Sequence, residues 1–282
     1  MTGARDPLGL RILYAVMGAA AWFAYRLLGL RRDVIRGNLE RSFPDWSRER
    51  RRAVQREFAT RQGELLAELL YTPRLSADEV RQRVVLTNPE LIADAAPGQA
   101  VMLVTGHQNN FEWALQRVAL DFGARMVGLY KPIRNARLDA WFRGMRQRFG
   151  SRLIPAKTVL RVLARDRDFA AIGIVADQAP TTSPQKYWTT FLGQETAFYM
   201  GPELLTRPLR AQAFYGRVRR RSRGRYEVSF EPLHGRGEAV PKGTVTERYA
   251  QTLEAEVRAD PAGWWWSHKR WKLKRKRIAD SG

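Results

Sequence analysis

The sequence predicts an α/β fold with a mostly parallel central sheet flanked by helices. Residues 101–104 (Val-Met-Leu-Val) and 170–176 (Ala-Ala-Ile-Gly-Ile-Val-Ala) are short, continuous apolar runs, the pattern of strands buried on both faces. Segments with helical periodicity alternate with these and other short apolar runs, the order of a parallel sheet. At 282 residues the chain has room for one sizeable domain and an appendage.

Residues 12–25 are fourteen uncharged residues, and counting on past Arg26 to Leu30 makes nineteen. That reaches the lower end of the bilayer-spanning range, about 17–25 residues, if Arg26 snorkels. A secretory signal peptide would need a small-residue cleavage site near residue 25, and Trp22-Phe-Ala-Tyr-Arg26 offers a poor one. Residues 1–32 are therefore expected to form a membrane anchor, spanning or interfacial, against the alternative of a buried core helix. Tyr14, Trp22, Phe23 and Tyr25 suit the interface, and Arg31, Arg32 and Arg36 would keep the bulk of the chain, residues 33–282, in the cytoplasm.

Residues 33–71 read as charged helix, broken around Pro44, with Ser47 as a partial N-cap because Arg50 stands where a capping box wants Glu. The Arg-rich stretch 48–56 is either a solvated face or a contact with anionic headgroups. Residues 77–83 and 89–95 read as short helices, and 96–99 as the turn into the first central strand. A helix follows Gly106, expected to bury Phe111, Leu115, Val118 and Ala119. Then come a strand at 125–130, a basic helix at 136–149, a short strand at 152–154, a helix at 158–167 and the strand at 170–176. Residues 179–195 read as a long loop and 198–207 as a helix. Residues 211–218 and 225–233 read as an antiparallel pair, and 244–260 as a final amphipathic helix.

Composition narrows the chemistry. There are no cysteines, which excludes thiol catalysis, disulfides and thiolate metal sites. The three histidines, His107, His234 and His268, are too scattered for a metal-ligand spacing, and no phosphate-binding GxxxxGK[ST] loop is present, so no cofactor or metal is expected. Forty-nine Lys and Arg against 28 Asp and Glu give a net charge of +21, so partners should be anionic: nucleic acid, acidic lipid or an acidic carrier protein.

The most informative stretch is Thr105-Gly106-His107 to Glu112. Five residues apart on one helix, His107 and Glu112 would point about 140° apart. With His107 just before the helix, capped by Asn109 or Asn110, the Glu112 carboxylate can reach one imidazole nitrogen and leave the other to take a proton from a hydroxyl. The helix N-terminus beside them suits a tetrahedral oxyanion. The same pattern also arises as a simple local cap. His107, Lys131, Arg134, Asp177 and Gln178 all follow strand ends, the side of an α/β sheet where ligands bind.

Taken with Arg36-Gly-Asn38-Leu39-Glu-Arg-Ser-Phe43-Pro44, Tyr130-Lys131-Pro-Ile-Arg134-Asn135, Asp177-Gln178 and the Trp264-Trp-Trp-Ser-His268-Lys-Arg-Trp271 tail, these residues resemble the bacterial late-stage lipid A biosynthesis acyltransferases, the lauroyl and myristoyl transferases of the lysophospholipid acyltransferase superfamily. The resemblance implies an enzyme at the cytoplasmic face of the inner membrane. It would move an acyl chain from an acyl carrier protein or coenzyme A thioester to a glycolipid hydroxyl, without a covalent enzyme intermediate. His107 would be the general base and Glu112 its partner. Backbone N–H groups near Asn109 and Asn110, with Arg134, would hold the oxyanion. Lys131 and Arg134 either bind an anionic group, such as a sugar phosphate or the phosphopantetheine, or form a solvated loop. Asp177 and Gln178 either bond acceptor hydroxyls or, for Asp177, cap the next segment. The Trp-rich tail reads as an interfacial belt plus packing.

The chain departs from the family in Gln108-Asn109-Asn110-Phe111, where Gly and Trp are usual, and in the loop after Gln178, usually richer in Gly. The acceptor is a lipid A precursor or another glycolipid, an ornithine-type lipid or an aryl-polyene lipid. A lysophosphatidate acyltransferase would show Asp at position 112 and a Glu-Gly-Thr-Arg block, and neither is present. The rival from another class is a basic, aromatic-rich nucleic-acid-binding module, for which the apolar N-terminus has no use. No nucleic acid is therefore expected as a partner.

Overall fold

The computed structural model describes residues 6–93, 100–166, 168–181, 183–235, 238 and 240–275. The turn expected at 96–99 lies outside them, as do residues 94–95 of the helix expected at 89–95 and Arg167 of the helix expected at 158–167.

The centre is a seven-stranded sheet of β1 (Val84–Leu86), β2 (Ala100–Thr105), β3 (Met126–Tyr130), β4 (Arg152–Pro155), β5 (Ala171–Val175), β8 (Ala211–Ser222) and β9 (Arg225–Pro232), in the order β1-β9-β8-β2-β5-β3-β4. Every pairing is parallel except β8 with β9. The two apolar runs of the sequence, β2 and β5, sit side by side near its middle, with Val101 to Thr105 in register with Ala171 to Val175. That position, covered on both faces, is why neither run alternates with polar residues.

One face of the sheet carries Leu103, Ala171, Met126, Phe214 and Val228 against α6 (Phe111–Phe122), the second half of α3 (Arg48–Tyr71) and α1 (Leu8–Trp22). The other carries Met102, Ile172, Val127 and Tyr215 against α8 (Val159–Arg165), α9 (Gly201–Thr206) and α10 (Thr244–Ala259). Helices α2 (Arg32–Ser42), α4 (Ala77–Arg83), α5 (Glu90–Ala93) and α7 (Ala136–Arg146) complete the chain. Ser47 accepts from Arg50 N at 3.2 Å and starts α3.

Residues 186–199 differ from expectation. They form a hairpin, β6 (Lys186–Phe191) with β7 (Gln194–Tyr199), turning at Leu192 and Gly193 with φ of 51° and 72°. Two left-handed residues make the turn that matches strand twist, but Leu in place of Asn or Asp hides it from a sequence reading. The helix expected at 198–207 shrinks to α9, because Phe198 and Tyr199 are taken by β7. The three-residue strand β1 was also unforeseen.

Helix α1 continues through a π-helical turn, Phe23–Leu27, and the whole of Leu8–Leu27 is long and apolar enough to cross a bilayer, with mean hydropathy 1.4. It does not stand free. Leu10 and Tyr14 are buried against α3, and a side chain at Gly63 of α3 would come within 2.8 Å of Met17 O and 2.9 Å of Ala21 Cβ, so the two helices touch along their backbones. The opposite side exposes Leu8, Ile12, Val16, Trp22, Phe23 and Leu27.

Candidate active site

Strand β2 ends at Thr105 and the chain turns through Gly106, where a Cβ would lie 2.7 Å from Leu253 Cδ1. A Cβ here would press on the buried Leu253 side chain, so glycine suits the close approach of β2 to α10. The following residues are stitched to the C-terminal segment. Asn109, at φ 50°, gives its N–H to Gly263 O (2.8 Å) and its side-chain amide to Val218 O (2.9 Å). Gln108 pairs with Trp264 in an isolated bridge. Asn110 caps α6, its Oδ1 accepting from Trp113 N at 2.8 Å.

This loop and the end of β5 bring His107 to Asp177. Asp177 Oδ2 accepts from the His107 backbone N–H (2.9 Å) and Trp264 Nε1 (2.8 Å), and Oδ1 lies 2.5 Å from His107 Nδ1. Burial alone would raise this carboxyl. The charge of His107 and the hydrogen bonds from His107 and Trp264 outweigh that and bring it down to about 2. An ionised acceptor requires the proton on Nδ1, and in the neutral imidazole that tautomer leaves Nε2 with its lone pair outward. Gln178 Nε2 stands 3.3 Å from it, a contact weak enough to yield to a substrate hydroxyl. Phe111 and Trp265 set their rings edge-on to the imidazole at 5.1 and 5.0 Å.

The expected pairing of His107 with Glu112 is corrected. Both Glu112 oxygens are held by Arg146 of α7, Nη2 to Oε1 at 2.5 Å and Nε to Oε2 at 2.9 Å. As the second residue of α6, Glu112 points across to α7, while Asp177 already occupies the Nδ1 side of the ring.

Three more expectations change with it. Asp177 neither caps the next segment nor faces a ligand, because its oxygens are spent on His107 and Trp264. Asn110 gives its Nδ2 to Glu68 at 2.6 Å, so both its polar atoms serve the fold rather than a substrate. The Asn109 N–H, offered above for an oxyanion, is used by Gly263 O. The first N–H groups of α6, at Phe111 and Glu112, have no intrahelical acceptor and adjoin His107.

His107 and Gln178 open onto a cavity of about 910 Å³. Leu103, Leu115, Val118, Leu129, Val228 and Phe230 give it an apolar wall, and Glu112, Arg146 and Lys131 also line it. Its floor is hollow for a reason in the sequence: Gly128 of β3 and Gly173 of β5 are register neighbours. Both lie on the cavity-facing side of the sheet, as does Gly216 of β8, so three side chains are missing where the strands would otherwise fill the space. Phe111 and Leu115, expected in the core, line this cavity instead. Arg134 is exposed and is not among the lining residues.

The tail is mainly packing. Trp264, Trp266 and Arg270 are buried, and the indole N–H groups of Trp264, Trp266 and Trp271 donate to Asp177, Pro261 O and Thr196 Oγ1. Trp265 is the one member of the triple-Trp run left exposed.

A second buried centre escaped the sequence reading. Glu68 of α3, fully buried, accepts from Tyr14 (2.9 Å), Tyr226 (2.7 Å) and Asn110 (2.6 Å), tying α1 to the cap of the His107 helix. Nothing in the spacing marks it, since its partners lie 42 to 158 positions away.

Among sequences of known families, residues 6–273 match the model of the one described as bacterial lipid A biosynthesis acyltransferase. No curated protein matches the chain.

Proposed function

Because the chain belongs to the bacterial lipid A biosynthesis acyltransferase family, we propose that it transfers a fatty acyl chain from a carrier-protein or coenzyme A thioester to a hydroxyl of a glycolipid such as a lipid A precursor. The observation that carries the reading is the imidazole of His107, held through Nδ1 by a buried carboxylate, with Nε2 turned to a largely apolar cavity of about 910 Å³.

In this mechanism the acceptor hydroxyl displaces the Gln178 amide from Nε2 and loses its proton to it while attacking the thioester carbonyl. Asp177 steadies the imidazolium that forms. The oxyanion is met by the Phe111 and Glu112 N–H groups at the start of α6. Collapse of the tetrahedral species expels the thiolate, which takes the proton back from Nε2. The acyl chain lies in the cavity over Gly128, Gly173 and Gly216. Glu112 acts through Arg146, fixing that guanidinium in the cavity wall. Lys131, on the same wall, is placed to meet an anionic group of either substrate.

The reading includes a membrane-bound state. Helix α1, clamped along α3, lays its outer apolar side into one leaflet together with the exposed Leu66 and Leu70 of α3. Ala20, Ala24, Tyr25 and Leu30 line the cavity, so its mouth opens beside that face and a lipid can enter without crossing water. The cytoplasmic face of the inner membrane is the side on which carrier-protein thioesters are available.

The test is acyl transfer by the purified chain from a carrier-protein thioester to a lipid A precursor, with mass spectrometry of lipids from a strain lacking it to name chain and acceptor. His107→Ala is expected to lose at least about 10²-fold. A variant keeping more than about a tenth of the activity would overturn the role of His107. Glutamates at Ile12 and Val16 should release the chain from membranes at alkaline pH, and full retention would overturn the leaflet contact.

A further inference from the structure

Beside the His107 cavity lies a second concavity of about 310 Å³, and Gln178 and Trp265 form the wall between the two. The rest of its lining is Ser267 and four cationic or basic residues, Arg31, His268, Lys269 and Lys272. Elsewhere several arginines reach carboxylates, as Arg61 does with Asp260, Arg83 with Asp6 and Arg217 with Glu256. The cations of this concavity do not. Among the described residues neither Arg31 nor Lys269 nor Lys272 has an ion-pair partner.

The backbone holds the group in place. Arg31 sits in the left-handed region at φ 54°, which a non-glycine residue adopts at a cost and only when its surroundings fix it. Asn38 Nδ2 donates to Trp266 O at 2.8 Å and to His268 O at 3.0 Å, pinning the tail segment that carries His268, Lys269 and Lys272 against α2. The imidazole of His268 reports the resulting field. Burial first, with the charges of Lys272, Arg270 and His107, brings it down to about 4 against the opposing pull of the Asp177 carboxylate.

We infer that this concavity is a phosphate-ester subsite, in which Arg31, His268, Lys269 and Lys272 hold a substrate phosphate next to the reacting centre. Three cations without an ion-pair partner on one small polar concavity match a compact dianion better than a monovalent carboxylate. The inference rests on the transferase reading for what bears the phosphate. Both substrates of that reaction class carry one, on the sugar of the glycolipid acceptor or on the pantetheine arm of the donor. Gln178, in contact with His107 Nε2 on one side and lining the phosphate concavity on the other, links anion binding to the position of the base.

The test measures binding, without turnover, to the full-length chain in detergent. Two pairs of probes are compared by calorimetry: 4′-phosphopantetheine with pantetheine, and an acylated glucosamine phosphate with its dephosphorylated counterpart. The wild-type chain is expected to prefer the phosphorylated member of one pair by about ten- to hundredfold, the effect of one or two charge-assisted hydrogen bonds. The pair that responds names the bearer. Lys269→Ala with Lys272→Ala, both exposed, should abolish the preference while leaving the affinity for the dephosphorylated probes unchanged. Equal affinities within both pairs, or a preference that survives the double substitution, would overturn the subsite. A chain that prefers phosphate but transfers no acyl group would refute the transferase and leave the subsite standing. Transfer without any phosphate preference would do the reverse.

Discussion

Replacing Asp177 by Asn changes one atom and tests the arrangement around His107. The carboxylate meets three donors: Oδ2 takes the His107 backbone N–H and the Trp264 indole N–H, at 2.9 and 2.8 Å, and Oδ1 takes Nδ1 at 2.5 Å. A carboxamide offers one oxygen and one NH2. With its oxygen toward Nδ1, the NH2 would face two fixed donors. With its oxygen toward those two, the NH2 faces Nδ1, which must then give up its proton. The second orientation opposes fewer donors, and it moves the proton to Nε2, where the lone pair needed for a hydroxyl is lost. General-base catalysis contributes about 10² to 10⁴ in rate, and a tautomer error of this kind in a serine-protease triad costs about 10⁴. A fall in kcat of about 10²- to 10⁴-fold is therefore expected, with KM little changed because Asp177 is buried away from the cavity. The assay is steady-state transfer of labelled acyl chains from carrier-protein thioester in micelles, with near-ultraviolet circular dichroism confirming the fold. A folded Asp177→Asn chain within about tenfold of wild-type kcat would refute the reasoning.

Glu112→Gln leaves the Arg146 guanidinium in the cavity wall without its counter-charge, and a loss of about 1–3 kcal/mol is expected, partly restored by adding Arg146→Met; an unshifted melting temperature would refute the pairing. Asp177 is held near 2 against an ordinary 3.8, so its ionised form stabilises the fold by roughly 2 kcal/mol above pH 4, and that contribution fades as pH falls from 4 to 2. The difference in stability between wild type and Asp177→Asn should shrink over that window, and a constant difference would count against the depressed value. Glu68→Ala leaves Tyr14, Tyr226 and Asn110 with unanswered donors at a cost of about 1–3 kcal/mol each, so thermal unfolding should begin many degrees lower. A Cβ at Gly216 meets nothing nearer than Thr105 Cβ at 3.8 Å, so Gly216→Val should fold and, by narrowing the cavity, shift transfer toward shorter acyl chains. Unchanged chain-length selectivity would remove the acyl chain from that floor.

The parts of the fold legible in the sequence were those in which one residue pattern has one structural solution. The unbroken apolar runs of β2 and β5 could only be central strands, and β8 and β9 showed as a pair because a basic turn separates two β-rich segments. The rim of His107, Asp177 and Gln178 was visible because all three follow strand ends. Who bonds whom on that rim was not. Glu112 is five positions from His107, yet its partner Arg146 is 34 positions away, and Asp177 is 70 positions from the histidine it holds. Such pairings are set by how β5 and α7 pack beside α6, which spacing along the chain does not encode. Of the tail, the packing of its tryptophans was legible but not their partners: the acceptors Asp177, just past β5, and Thr196, in β7, are distant in sequence.

The stitching of residues 108–109 to Gly263 and Trp264 bears on how the chain comes to life. Asn109 binds Asp260 across 151 positions, and the indole that braces Asp177 lies 87 positions beyond it, so the apolar helix leaves the ribosome long before the imidazole has its partners in place. Domains assemble as synthesis proceeds from the N-terminal side. On the proposed reading the growing polypeptide docks on lipid while chemically silent, and acyl transfer waits until Trp264 has paired with Gln108.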